Sequence, residues 1–202
     1  AVIAIEPLDP PGLPATPTDE GLAEQLTGMA WTIVKLATLH RTIRPDLLDS
    51  PNRLVTAEAA DLGAADTTPD NLYMMGTFRL AADEALVIDL VPPDTRYWSV
   101  TLENIWHECI DPRRRRSSIT NAQARRREDG TVRIVIAATD ATAITTTDGD
   151  TGAHPETATT ADATNWLDTG GRHRGFVVIR WLDNPDPPSV VTRVQKLAAG
   201  GR

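Results

Sequence analysis

The sequence predicts a mainly β protein: an antiparallel β-sandwich or jelly-roll-like domain with an N-terminal amphipathic helix packed on it. From residue 72 onward, short runs rich in β-branched and aromatic residues alternate with turn formers such as Pro92-Pro93-Asp94. Before that point, large apolar residues recur at three- and four-residue steps, as on one face of a helix. With 202 residues, of which 41% are apolar, the chain can fill one main core.

Residues 1–17 predict a short strand followed by a stiff linker. Val2-Ile3-Ala4-Ile5 is typical of a strand, and the five prolines in residues 7–17 exclude a regular helix or a central strand. The chain begins at Ala1 rather than at a methionine. Two interpretations remain open, N-terminal processing and the second half of a larger protein.

Residues 18–65 predict a helical segment. Thr16 is a suitable cap with Pro17 at the first helical position, and Arg44-Pro45 ends the helix. One apolar stripe contains Leu22, Leu26, Met29, Ile33, Leu36 and Ile43. We expect this stripe to pack against the sheet, and the alternative is a subunit interface.

Residues 66–202 predict the β-sandwich domain. The expected strands cover residues 76–80, 84–91, 96–106, 132–138, 175–182 and 189–197. Residues 141–164 are dominated by Thr, Ala and Asp and contain almost no large apolar side chain. Such a stretch buries little surface, so it predicts a mobile insertion that is either a lid or has no role.

Charge and cysteine content exclude several function classes. A net charge of −8 argues against nucleic acid or an anionic membrane surface as the partner, because phosphate binding requires basic surface. The single cysteine, Cys109, excludes an intramolecular disulfide and fits the cytoplasm. No apolar run approaches the roughly 20 residues that span a bilayer, so no membrane association is predicted.

The tryptophan-rich strand predicts one wall of a ligand site. Alternation places Trp98, Asn104 and Trp106 on one face of residues 96–106. A buried Asn104 needs hydrogen-bond partners, so it either pins a neighbouring loop, such as the one carrying Asn121, or orients a ligand. Asn121 is itself predicted as a ligand-binding residue. Together with Trp166, these aromatic residues suit a flat amphipathic ligand, although tryptophan serves equally well in a core.

Residues 165–175 contain the strongest candidate site. Asp168 and His173 have the composition of a general acid-base pair, because a carboxylate can orient an imidazole ring. Arg172 and Arg174 could hold an anionic substrate. The alternative is a structural corner, in which Asp168 accepts backbone N–H groups of the turn.

Neither a metal nor a cofactor is predicted. The four histidines show no ligand spacing, and the sequence lacks a nucleophile elbow, a phosphate-binding glycine loop and a dinucleotide fingerprint. Residues 111–133 carry eight arginines. This basic stretch is interpreted as a solvated hairpin face, and the alternatives are attraction of an anionic ligand or of an acidic surface on another subunit.

Several blocks resemble a known family. They are Asp70-Asn71-Leu72-Tyr73, the segment 97–104, the segment 118–123 and the motif in residues 165–175. In this order they are similar to the C-terminal domain family filed as domain of unknown function 1214, over roughly residues 66–198. The resemblance implies the β fold and no activity.

Three functional hypotheses follow. The first is a noncatalytic module that binds a small molecule or assembles with a partner, either another copy or an upstream domain of the same protein. The second is a hydrolase or lyase that acts on a small anionic or polar substrate through Asp168 and His173. The third is a structural half of a larger protein.

Overall fold

The computed structural model describes residues 6, 16–42, 45–57, 71–140, 165–183, 186 and 188–197. The predicted N-terminal strand, most of the proline-rich linker and the 141–164 insertion therefore lie outside the described residues. The chain divides into two units, Ala1–Thr38 and Leu39–Arg202, and each is described by itself.

Helix α1 spans Asp19–Thr42. The Thr18 hydroxyl accepts a hydrogen bond from the Gly21 backbone N–H at 3.1 Å, so Thr18 rather than Thr16 caps the helix. In the apolar stripe from Leu22 to Leu36, the side chains have exposed fractions between 44% and 64%. Packing of this stripe on the β domain stays a prediction. No helix in the described part of the chain is both long and apolar enough to cross a membrane.

The second unit contains a short helix and the strands. Helix α2 spans Asp46–Asp49. The strands are β1 (Leu54–Ala57), β2 (Leu72–Arg79), β3 (Glu84–Leu90), β4 (Trp98–Glu103), β5 (Ser118–Thr120), β6 (Val132–Ala137), β7 (Trp166–Asp168), β8 (Arg174–Trp181) and β9 (Val190–Lys196). Strand β1 lies in the segment that was expected to be helical.

The strands form two sheets. The larger sheet has the order β1-β2-β8-β4-β5 and the smaller one the order β7-β6-β3-β9. All pairs are antiparallel except β6 and β7, which are parallel. The mainly β, sandwich-like fold class with an N-terminal helix is therefore confirmed.

One apolar core is formed by alternating residues of both sheets, as the period of two requires. Its largest fully buried side chains include Trp98, Trp181, Phe78, Leu86, Ile88 and Leu102. Burial of each such side chain contributes about 1.5–3 kcal/mol to folding. Trp98 is thus a core residue, and the prediction that it lines a ligand site is wrong because its ring is almost completely buried.

Candidate functional site

Two adjoining hollows lie at one end of the larger sheet, where β2 ends, β8 begins and β4 runs into the following loop. The basic hollow has a volume of about 580 Å³. It is lined by Arg79, Asn104, Ile105, Trp106, Gly171, Arg172, His173 and Arg174. The second hollow has a volume of about 230 Å³ and shares Arg79, Ile105 and Arg174 with the basic one. It is called the apolar hollow because five of its lining residues have hydrocarbon side chains, although Thr77 and the two arginines also line it. Five residues predicted for the site, namely Asn104, Trp106, Arg172, His173 and Arg174, therefore line one surface.

Arg79 and Arg174 lie directly opposite each other in the register of β2 and β8. Like charges in this position repel each other and destabilise a sheet. Within the described residues, no carboxylate lies at ion-pair distance from Arg79, Arg172 or Arg174. The Arg79 guanidinium donates a hydrogen bond to the Leu48 carbonyl at 3.3 Å. The hollow therefore concentrates uncompensated positive charge.

Arg79 is positioned by Asn52, which has a positive φ of 66°. The Asn52 side chain accepts a hydrogen bond from the Arg79 backbone N–H at 2.8 Å and donates one to the Arg79 carbonyl at 2.9 Å. Its own backbone N–H donates to the Thr77 carbonyl at 2.6 Å. Asparagine tolerates this left-handed conformation better than most residues. Asn52 thus satisfies backbone groups at the end of β2 that a neighbouring strand would otherwise bind.

Asp168 and His173 are not brought together as an acid-base pair. The Asp168 carboxylate accepts hydrogen bonds from the Gly170 backbone N–H at 2.6 Å and from the Arg115 guanidinium at 2.7 Å. The His173 ring Nδ1 lies 3.3 Å from the Leu80 carbonyl oxygen instead. Because Gly170 and Gly171 both have positive φ, the turn directs the two side chains to different partners. This arrangement corresponds to the structural corner, in which Asp168 accepts a backbone N–H group of the turn, and not to an acid-base pair.

The Asn104 side chain stabilises the loop that follows β4. Its side-chain oxygen accepts hydrogen bonds from the backbone N–H groups of Trp106 at 2.8 Å and Glu108 at 3.1 Å. Its amide nitrogen donates to the Glu108 carboxylate at 2.7 Å. The strand therefore ends at Glu103, and the prediction that Trp106 lies on the same strand face as Trp98 is wrong. Trp106 instead stands at the hollow with 52% of its surface exposed.

Asn121 and Trp166 lie away from both hollows. The Asn121 side chain donates to the Arg96 carbonyl at 3.2 Å, at the opposite end of β4. Trp166 lies on β7, where its indole N–H donates to the Ala137 carbonyl at 3.2 Å. The structure therefore places neither residue at the predicted ligand site.

Comparison with known proteins identifies the family. The model of a family of unknown function, DUF1254, matches residues 51–166, which is more than half of the chain. The chain belongs to the DUF1254 family. The expected membership of the 1214 family is therefore wrong. The blocks that suggested it are short strand and turn segments, and their order alone did not separate the two families.

The DUF1254 chain is also similar to solved structures. An uncharacterised protein from Burkholderia cenocepacia is 33% identical with a TM-score of 0.60, and the match covers 75% of this chain and 37% of that protein. The VPA0106 protein from Vibrio parahaemolyticus is 16% identical with a TM-score of 0.43, covering 90% of this chain and 47% of that one. The chain thus spans less than half the length of either structure. No curated protein matches the sequence.

The DUF1254 chain also contains a histidine-carboxylate pair that sequence reasoning missed. The His107 Nδ1 lies 2.8 Å from a Glu103 carboxylate oxygen, and only 12% and 17% of the two side chains are exposed. The His107 ring stacks on Phe176 with a centroid distance of 3.9 Å. His107 has a positive φ of 60°, because the chain turns sharply after Asn104. That turn brings His107 back to Glu103, whereas a continuous strand would have separated them.

The arginine-rich stretch of the DUF1254 chain does not form one basic surface. Two of its members, Arg127 and Arg133, lie 3.7 and 2.6 Å from Asp89 on β3, and Arg193 of β9 also contacts this carboxylate. Burial raises the pKa of Asp89, but hydrogen bonds from Arg133 and Arg193 outweigh it and hold the pKa below its usual value. Arg115 pairs with Asp168. Much of this charge is therefore balanced locally.

In the parts of the DUF1254 chain that the structure describes, no group of three or more His, Cys, Asp and Glu side chains could hold a metal ion. The arrangement that remains is a cationic surface hollow beside an apolar one. Its chemistry is attraction of an anion by guanidinium groups.

Proposed function

We propose that this DUF1254 chain is a ligand-binding module whose basic hollow takes a small anion. The observation that carries the proposal is the register pairing of Arg79 with Arg174, without a carboxylate partner among the described residues. Their mutual repulsion destabilises the free protein, and a bound anion would relieve it. Guanidinium groups recognise carboxylate and phosphate through paired N–H donors.

Two further features support a small ligand. Trp106 presents a large amphipathic ring at the hollow, and such rings commonly line ligand sites. The whole chain has a net charge of −8, which would repel a large polyanion such as nucleic acid. A cationic hollow in an acidic protein therefore favours a small anion.

The hydrolase or lyase alternative receives no specific support. Its acid-base pair requires Asp168 to orient His173, yet the Asp168 carboxylate is engaged by Arg115 and by the Gly170 backbone. Location in the cytoplasm and assembly with another copy or an upstream domain stay predictions.

The proposal is tested by calorimetric titration with acetate, sulfate and inorganic phosphate at low ionic strength. Arg79→Gln and Arg174→Gln should each weaken binding by about 10-fold or more, because a hydrogen bond to a charged group contributes about 1.5–3 kcal/mol. Arg96→Gln is the matched control, since the Arg96 side chain is 76% exposed and pairs with Asp183 outside the hollow. Absence of binding for all three anions, or equal losses in all three variants, would refute the proposal.

A further inference from the structure

The apolar hollow lies directly beside the paired arginines, on the outer face of the larger sheet. Five of its lining residues have hydrocarbon side chains: Leu48 and Pro51 from the region of α2, Phe78 from β2, Ile105 from the loop after β4, and Phe176 from β8. One face of the Phe176 ring is supported by the His107 ring at 3.9 Å. An anion held between Arg79 and Arg174 would therefore have an apolar wall next to it.

The polar groups of the apolar hollow are largely engaged already. Its polar side chains are those of Thr77, Arg79 and Arg174. The Thr77 hydroxyl donates to the Leu47 carbonyl. The Thr77 carbonyl and the backbone of Arg79 are hydrogen-bonded to Asn52. A ligand rich in hydroxyl groups would lose its hydrogen bonds to water here and would find few replacements. The Arg79 guanidinium donates one hydrogen bond to the Leu48 carbonyl. The other N–H groups of Arg79 and Arg174 are the donors that we assign to an anionic head.

The volume of the apolar hollow limits the size of the hydrocarbon part of a ligand. An apolar protein cavity of about 150 Å³ can hold benzene. The apolar hollow, at about 230 Å³ and open on one side, has room for a ring or chain of roughly six carbons. Each methylene group that it removes from water should improve binding by about two- to fourfold.

We propose that the ligand class is an apolar monocarboxylate, with its carboxylate between Arg79 and Arg174 and its hydrocarbon part in the apolar hollow. This inference rests on the proposed function, because it uses the same arginine pair as the anion site. It adds a requirement that anion binding alone does not have, namely that affinity increases with hydrocarbon length.

The test is a calorimetric series on the unaltered chain with acetate, butanoate, hexanoate and benzoate, with phosphate and 1-hexanol as comparison probes. Hexanoate should bind at least 10-fold more tightly than acetate, and hexanol should bind much more weakly than hexanoate. Leu48→Gln should reduce this chain-length effect, measured as the ratio of hexanoate affinity to acetate affinity. Val191→Gln is the control, because Val191 is an exposed residue of β9 and lines neither hollow.

The outcomes separate the two proposals. If acetate or phosphate binds through Arg79 and Arg174 but affinity does not increase with chain length, the monocarboxylate inference fails and the anion-binding function stands. If no anion binds, both proposals fail. If hexanol binds as well as hexanoate, the carboxylate is not recognised and the monocarboxylate inference fails, whereas the anion-binding function is decided by acetate and phosphate. The chain-length series on the unaltered protein decides the inference even if Leu48→Gln does not fold.

Discussion

Replacing Asp168 with asparagine tests whether this residue stabilises the turn at residues 168–171 or contributes to the proposed anion site. Asparagine keeps a side-chain oxygen that can accept the hydrogen bond from the Gly170 backbone N–H, so the turn should persist. The charge-assisted bond from Arg115, 2.7 Å long, is lost. We therefore expect lower stability and an unchanged affinity for anions.

The size of the loss follows from the environment of this ion pair. A hydrogen bond to a charged group contributes about 1.5–3 kcal/mol. The Arg115 side chain is 41% exposed, so solvent screening reduces the expected loss to about 1–2 kcal/mol. For a domain of about 150 residues, each kcal/mol lowers Tm by about 2–4 °C, which gives a decrease of about 2–8 °C.

The assay is urea unfolding followed by tryptophan fluorescence, on Asp168→Asn, Arg115→Gln and the double variant. If the two side chains stabilise the fold through each other, their effects should fall short of additivity by about 1 kcal/mol. Additive losses would contradict the ion-pair explanation. Loss of anion binding with unchanged stability would instead place Asp168 in the ligand site.

Substitutions at three further positions test the fold. Folding lowers the pKa of Asp89, so the stabilisation that this carboxylate contributes is complete above about pH 4 and is lost as pH falls through the lower folded pKa. The difference in unfolding free energy between the parent and Asp89→Asn should therefore shrink at acid pH. A pH-independent difference would contradict this. In Gly175→Ala, the new Cβ would lie 2.3 Å from the Glu103 carbonyl oxygen. Calorimetry should therefore show that the free energy of unfolding falls by about 1–3 kcal/mol, and an unchanged Tm would refute the close packing. Asn52→Ala should lower stability by about 1–2 kcal/mol and weaken anion binding, because it removes two hydrogen bonds to the Arg79 backbone. Asn52→Gly relieves only the strain of the positive φ, so it should recover part of the stability. Parental stability and affinity in Asn52→Ala would contradict this role of Asn52.

The longer strands could be predicted because each contains a run rich in apolar, β-branched or aromatic residues, and turn formers separate many of these runs. β5 and β7 contain only three residues, too few to show a period of two. β1 lies in the segment 18–65 that was predicted to be helical, and its four residues are too few to show a period of two. The strand containing Trp98 was predicted too long, because the Asn104 side chain satisfies the backbone of a turn where a continuous ladder was expected.

The site was predicted only where its residues are close in sequence. Arg172, His173 and Arg174 were recognised together because they follow one another before an apolar run. Arg79 was missed because it lies about 95 residues earlier, and only the register of β2 and β8 places it opposite Arg174. Conversely, Asp168 and His173 are near in sequence, but the positive φ values of the turn separate their side chains. Proximity along a chain does not determine side-chain direction.

The position of β8 governs how the chain can fold during synthesis. It is the eighth strand in the described part of the chain, yet it lies between β2 and β4 in the larger sheet. Until residues 174–181 have left the ribosome, both neighbours expose unpaired backbone edges that can attract other chains. The family match ends at residue 166, so a fragment cut there would lack this strand. Since Arg174 begins β8, the basic hollow is completed only after the larger sheet has formed, and the proposed anion binding would report that step.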